Sequence, residues 1–338
     1  MGVKAGLLRE VTFALIIPVI SFVLPFLAFA GGGQHYPNGV ESILSGVAPP
    51  PGFYLKDYNY YYTATKLKDN SGDTLSLARD GVELDRLSVY GTIPRFLWIS
   101  KLNILGGFYG QHLFVPLLKV DMHLDALTPG GPIDLNDRRG GIGDLIYSPF
   151  IWTWHAKSGL LHMVGALDIY IPTGAYNKKN LVSIGKNHWT FEPVFAITGF
   201  LPQHPNLSAS LKFMYDFNTK NNDLLIGPST AAKIGNPALA GLETDLRPGQ
   251  EFHFDYSVEY ALTKDFRVGA VGYFYQQIID DKTGFGTVEN DKGRTFAIGP
   301  GLWYNYRRWF FDLHAAFETA TRNRPQGVTG LFAITYCF

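Results

Sequence analysis

Between residues 251 and 262 the chain alternates without a break. Phe252, Phe254, Tyr256, Val258, Tyr260 and Leu262 take one set of positions, and Glu251, His253, Asp255, Ser257, Glu259 and Ala261 the other. A helix would scatter both sets around its axis, whereas a strand puts them on opposite faces. The pattern recurs at 207–218, where Leu207, Ala209, Leu211, Phe213, Tyr215 and Phe217 oppose Ser208, Ser210, Lys212, Met214, Asp216 and Asn218. It recurs again where Trp309, Phe311, Leu313, Ala315 and Phe317 oppose Asp312, His314, Ala316 and Glu318. Such segments are long enough for the roughly 9–11 residues that a tilted strand needs to cross a bilayer. Soluble strands centre near about five or six.

The start of the chain gives an independent reason to think of a membrane. Lys4 and Arg9 precede an uncharged apolar run, 11–27, and Ala28-Phe29-Ala30 offers a small-x-small cleavage pattern. This predicts a signal peptide over 1–30. Pro18, Pro25 and the glycines 31–33 speak against a retained helical anchor. Beyond residue 30 no stretch is apolar enough for a spanning helix, so the exported chain either stays in water or enters a membrane as a barrel. The 25 Phe, 19 Tyr and 6 Trp suit interfacial aromatic girdles. Balanced charge, 29 basic against 29 acidic residues, provides no field for nucleic acid. The single Cys excludes an internal disulfide framework and a Cys-rich metal site.

The periodic segments lie near 52–65, 82–93, 102–115, 140–154, 160–172, 189–200, 207–217, 250–262, 266–278, 294–306, 309–320 and 327–338. Longer connections (66–81, 116–139, 173–188, 218–249, 279–293 and the modest 321–326) alternate with shorter ones (94–101, 155–159, 201–206, 263–265, 307–308). Short periplasmic turns and long outside loops produce that asymmetry. The expected fold is all-β, a transmembrane antiparallel up-and-down β-barrel of 12 strands, with ten or fourteen open. It occupies 52–338 in the outer membrane of a Gram-negative-type bacterium, in contact with its lipid. At its end Phe332, Ile334, Tyr336 and Phe338 alternate to the last residue, resembling the terminal signal read by the barrel assembly machinery. Cys337 would then face the lumen as a lone thiol. The segment 31–51 cannot be wall, because Pro49-Pro50-Pro51 removes ladder donors. It either hangs in the periplasm or inserts as a plug that buries Ile43, Leu44 and Val47.

Several blocks resemble a known family. They include His35-Tyr36-Pro37-Asn38-Gly39-Val40-Glu41, Ala48-Pro49-Pro50-Pro51-Gly52-Phe53-Tyr54, Gly143-Asp144-Leu145 and Ile171-Pro172-Thr173-Gly174. Gly185-Lys186-Asn187-His188-Trp189-Thr190-Phe191-Glu192-Pro193 and Gly249-Gln250-Glu251-Phe252-His253-Phe254-Asp255-Tyr256 follow. Gly272-Tyr273-Phe274-Tyr275-Gln276-Gln277 and Arg322-Asn323-Arg324-Pro325 complete the order. Together they resemble the outer-membrane proteins involved in the meta-pathway of phenol degradation, a family that includes porins of the sphingosine-uptake type. Lys186 departs from the family's Arg and keeps the charge without the bidentate fork. The resemblance implies an uptake barrel for small hydrophobic compounds, aromatic or long-chain.

On a barrel the charged faces line the lumen. Glu192, Lys212, Asp216, Glu251, His253, Asp255, Glu259, Arg267, Asp312, His314, Glu318 and Arg322 are the inward candidates, as a selectivity lining or as a salt-bridged filling of a narrow barrel. In the long connection 218–249, Leu224, Leu225, Ile226, Ile234 and Leu239 are apolar for a segment facing water. They predict either a loop folded into the mouth or a lid packed on other loops. No nucleophile elbow and no His-Glu-x-x-His is present, so neither an enzyme nor a metal or other cofactor is expected from local motifs. A plugged adhesive barrel and a barrel-embedded lipid hydrolase stand as the alternatives.

Overall fold

The computed structural model describes residues 35–128 and 130–338; the expected signal peptide, 1–30, lies outside them. The wall begins with β1 (Gly52–Leu67), β2 (Val82–Ile104), β3 (Gly107–Phe114), β4 (Leu117–Thr128), β5 (Gly131–Ile142) and β6 (Leu145–His155). It continues through β7 (Leu161–Ile171), β8 (Thr190–Leu201) and β9 (His204–Asn218). Two short strands, β10 (Asn221–Leu225) and β11 (Glu243–Arg247), interrupt it before β12 (Glu251–Thr263) and β13 (Phe266–Gln277). After β14 (Lys282–Thr283) and β15 (Gly286–Thr287) come β16 (Arg294–Tyr306), β17 (Trp309–Arg322) and β18 (Pro325–Cys337).

β1 pairs antiparallel with β2 on one side and β18 on the other, which closes the sheet and removes its edges. The large sheet has 14 segments. Two pairs of them are single strands with an interruption: β3 runs into β4 across Val115-Pro116, and β5 into β6 across Gly143-Asp144. Counted as continuous strands, the barrel has 12, all antiparallel.

Two expectations need correction. Residues 94–101 are not a turn, because β2 continues through them to Ile104 and the turn is Leu105-Gly106. Pro94 is tolerated where β2 changes partner, from β4 at Thr92 to β3 at Arg95, so its missing N–H costs no ladder bond there. Nor is 116–139 a loop. β4 and β5 pair through it as a hairpin, from Leu117↔Ile142 to Thr128↔Gly131. Here the polarity of the wall reverses. Met122, Leu124 and Ala126 are buried inside, while Lys119 and Arg138 are exposed. A strand that projects beyond the bilayer meets water outside, so its apolar residues turn inward.

Lower down, the outside is apolar. Phe191, Phe195, Phe217, Val258, Leu313, Phe317 and Phe332 are all exposed, a band that only lipid can cover. Near the short turns it ends in aromatic pairs, Phe53 with Trp98 at 6.2 Å and Trp309 with Tyr336 at 4.7 Å between ring centroids. These rings form the girdle expected at a bilayer interface, and the barrel is an outer-membrane barrel. Phe332, Ile334 and Tyr336 alternate with Leu331 and Ala333, which are buried, and Phe338 is 69% exposed. Cys337 is opposite Tyr54, whose side chain is buried in the barrel.

Residues 35–51 lie against the inward faces of the strands. Tyr36 Oη donates to Asp255 Oδ2 at 2.6 Å, and Gly39 N donates to Asp255 Oδ1 at 2.8 Å. Leu44 N donates to Glu259 Oε1 at 3.1 Å, and Gly46 N to Thr198 Oγ1 at 2.9 Å. Gly46 lies flat on β8, where a Cβ would come within 2.6 Å of the Ile197 carbonyl carbon. Carboxylates that accept backbone N–H groups form charge-assisted bonds worth about 1.5–3 kcal/mol each.

Candidate functional site

Above the level of Tyr36 the lumen holds a cavity of about 450 Å³. Its floor is His35, Tyr36 and Val40 from the N-terminal segment, and one wall is the tyrosine row Tyr58, Tyr60 and Tyr62 of β1. Leu87, Val89 and Ile93 of β2 and Leu118, Val120 and Met122 of β4 supply the aliphatic side. That side exists because the β2 and β4 side chains turn inward where the wall leaves the bilayer. Leu181, Val182 and Ile184 close over it from the 172–189 connection. Leu181 also packs in one buried cluster with Leu84, Leu87, Met122 and Leu124. The volume falls in the range of about 300–1,000 Å³ typical of small-ligand sites.

One polar edge is built around His35, and Glu318 and Arg324 supply another. His35 Nε2 is 2.9 Å from Asp144 Oδ2 and its Nδ1 is 2.8 Å from Thr190 Oγ1. Asp144 also accepts from Gly174 N and Lys186 N, both at 2.8 Å, which ties the 172–189 connection to the wall. The His35 ring stacks on Tyr170 at 4.9 Å.

Around and below the floor is a dense ionic layer, of which Asp168 and Glu318 also line the cavity. Glu41 meets Arg95 Nη1 at 2.5 Å and Lys212 Nζ at 2.8 Å, and Tyr58 Oη donates to it. His112 Nε2 sits 2.9 Å from Asp168 Oδ1, and His314 Nδ1 2.9 Å from Asp312 Oδ1. Glu318 accepts from Tyr62 at 2.8 Å and from Tyr273 at 2.9 Å. Ser208 Oγ joins Glu259 to Arg267, whose Nη1 donates to it at 3.0 Å. Glu192, Asp216, Glu251 and His253 are fully buried on β8, β9 and β12. Eleven of the twelve charged positions predicted to point inward thus lie on the inner face: Glu192, Lys212, Asp216, Glu251, His253, Asp255, Glu259, Arg267, Asp312, His314 and Glu318.

Arg322 does not join them. It is exposed, and its neighbour Thr321 is buried instead. Ala320 takes φ 52°, and the pairing with β16 slips at the same place, so the alternation moves by one residue.

The 218–249 and 278–293 connections fold together into one small outer structure. β10, β11, β14 and β15 make a four-stranded sheet, with a short helix at Pro228–Lys233. Leu224 and Ile226 are buried with Ala231 and Leu246, and Leu239 packs on that cluster. Leu224 and Leu225 also line the cavity, whereas Ile234 is half-buried away from it.

Beside this outer sheet lie two acids with raised pKa values. Burial lifts the Asp291 carboxyl to about 7 against the pull of Lys233, whose Nζ is 2.5 Å away. Burial also lifts Asp281 to about 6, against the Gly249 N–H and the Gln277 amide. Both acids hold their protons more tightly in the folded chain than in the unfolded one. The stability they contribute is therefore full in acid and declines as pH rises through about 6 to 7. Amide exchange in 243–249 and 278–293, corrected for intrinsic rates, should be faster at pH about 8 than at about 5. Asp291→Asn should flatten the difference; a pH-independent protection factor in the parent chain would contradict it.

A family model described as "Putative MetA-pathway of phenol degradation" matches residues 64–334. No curated protein sequence matches the chain. Among solved structures, the COG4313 outer membrane channel from Pseudomonas putida F1 aligns with a TM-score of 0.64 at 13% identity, covering 90% of this chain and 100% of that one. The translocator domain of the autotransporter NalP from Neisseria meningitidis aligns at 0.45, with 8% identity over 87% of this chain and 91% of that one. A deltaS2 mutant of the TodX monoaromatic hydrocarbon channel aligns at 0.44, with 10% identity over 87% and 92%. At 13% identity the likeness to the COG4313 channel is one of fold.

Proposed function

The chain belongs to the MetA-pathway phenol-degradation family, whose model spans residues 64–334, and from that premise we propose that it is an outer-membrane channel for small hydrophobic compounds. The observation that carries this reading is the cavity of about 450 Å³ at the outer end of the lumen, walled by Val89, Val120, Met122 and the tyrosines of β1. Its lining suits a ligand with aromatic or aliphatic surface and few polar atoms. Leu224 and Leu225 at its rim support a greasy mouth that the 218–249 connection helps to form. The segment 35–51 acts as a plug that sets the floor and keeps polar solutes out.

We read the chain as non-catalytic. The inward histidines His112 and His314 rest against Asp168 and Asp312 rather than against a nucleophile. Flux into liposomes, measured with a panel of aromatic and acyl compounds, tests the proposal. Rates above those of empty liposomes are expected for the apolar members. A panel with no flux at all would overturn it and leave a plugged, adhesive barrel.

The alternation of Phe332, Ile334, Tyr336 and Phe338 up to the end of the chain supports recognition by the barrel assembly machinery. Phe338→Ser should reduce the heat-modifiable, membrane-inserted fraction several-fold while leaving the lumen bonds of the inserted molecules intact. Full insertion of that variant would contradict the assignment.

A further inference from the structure

β9 lies between β8 and β12, and the three strands bring Glu192, Asp216 and His253 together at one level of the lumen. All three are buried. One candidate ligand atom from each lies within 4.8 Å of the other two. His253 Nε2 is 3.4 Å from Glu192 Oε2 and 3.5 Å from Asp216 Oδ2. These distances are too long for a charge-assisted hydrogen bond, which closes to about 2.7–2.9 Å. They match a different geometry. Four ligands at about 2.0–2.2 Å from a tetrahedral metal stand about 3.3–3.6 Å from one another.

The bonding of these side chains points the same way. Glu192 Oε1, both Asp216 oxygens and both His253 nitrogens have no hydrogen-bond partner among the described residues. Two carboxylates buried with most of their lone pairs unused are costly, unless something of opposite charge sits among them. A divalent ion would balance both charges and take a nitrogen donor from the imidazole.

We infer that Glu192, Asp216 and His253 bind a single divalent transition-metal ion, with zinc the best match to two carboxylate oxygens and an imidazole. Two neighbours complete the surroundings. Tyr170 Oη donates to Glu192 Oε2 at 3.2 Å and orients that carboxylate. Glu251, buried with neither oxygen hydrogen-bonded, stands two residues before His253 on the same face of β12. The Tyr36 ring packs on the His253 ring at 5.4 Å, so the N-terminal segment covers the site and would slow loss of the ion. No local motif announces these ligands, since they come from three separate strands.

The test uses the untagged full-length barrel, refolded in detergent after chelator treatment, without metal or with zinc or manganese sulfate, then passed through gel filtration. Zinc content by mass spectrometry and the melting temperature are read together. Near-stoichiometric retained zinc and a raised melting temperature are expected. His253→Ala and Asp216→Asn should abolish retention, and Glu251→Gln should weaken affinity by about 10- to 100-fold, as loss of an outer partner does. Heat-modifiable migration on gels reports whether each variant folds. The parent barrel decides the matter if they do not. A folded parent that retains neither zinc nor manganese, with an unmoved melting temperature, would overturn the assignment in favour of an imidazolium shared by two carboxylates. Folded His253→Ala that retains as much zinc as the parent would overturn it equally.

Discussion

Removing residues 35–50 should convert the barrel from a nearly closed conductor of ions into an open one, with single-channel conductance in planar bilayers rising on the order of tenfold or more. The wall does not depend on the segment, because its backbone bonds run from strand to strand around a closed sheet. What the segment contributes is the filling. Without it Asp255 loses the Tyr36 hydroxyl and the Gly39 and Glu41 amides, and Lys212 and Arg95 lose the Glu41 carboxylate. Those charges would hydrate, and water with its ions would occupy the space. Polar antibiotics should then cross more readily in cells that carry the truncated barrel. Unchanged conductance in a truncated barrel that still migrates as a folded species would rule out the plug.

The second large effect is expected at Val120. Val120→Asp should lower the uptake rate of an apolar substrate by about 10- to 100-fold, since a carboxylate there joins Arg139 opposite it and turns that stretch of wall polar, which costs a bound hydrocarbon about 1–3 kcal/mol. Val120 is suited to the experiment because β4 pairs it with Val89 and Arg139 in the hairpin region that projects beyond the bilayer. The change therefore leaves the lipid-facing band and the terminal strand untouched. Val120→Leu, which keeps the wall apolar, should retain uptake. Equal rates for Val120→Asp and the parent in liposomes would show that the substrate does not pass this cavity.

Much of this molecule could be read from residues alone, and the exceptions share physical causes. Alternation at 251–262 and 309–318 placed the lipid and lumen faces, because within the bilayer the outward face must be apolar. The segment 116–139, read as a connection, is a hairpin of the wall. There Lys119, Asp121 and His123 alternate with Val120, Met122 and Leu124 just as regularly, but with the opposite sense. That reversed run was the signal for a wall extended into water, and so for the cavity's aliphatic side. Arg322 failed for a smaller reason, the left-handed backbone at Ala320 that breaks a period of two. Asp255 was recognisable as inward, but its partner Tyr36 is separated from it by 219 positions along the chain. No periodicity reports a contact of that kind, nor the convergence of Glu192, Asp216 and His253.

The seat of the N-terminal segment also constrains the order in which the molecule can be made. The earliest described residues bond to β8, β9 and β12, whose side chains do not share a surface until most of the wall stands. The seam between β1 and β18 joins the two ends of the same chain. Contacts between positions so far apart in the chain form late and make for slow folding. The tail is thus among the last parts to settle, a late filling for a wall that closes on its own bonds.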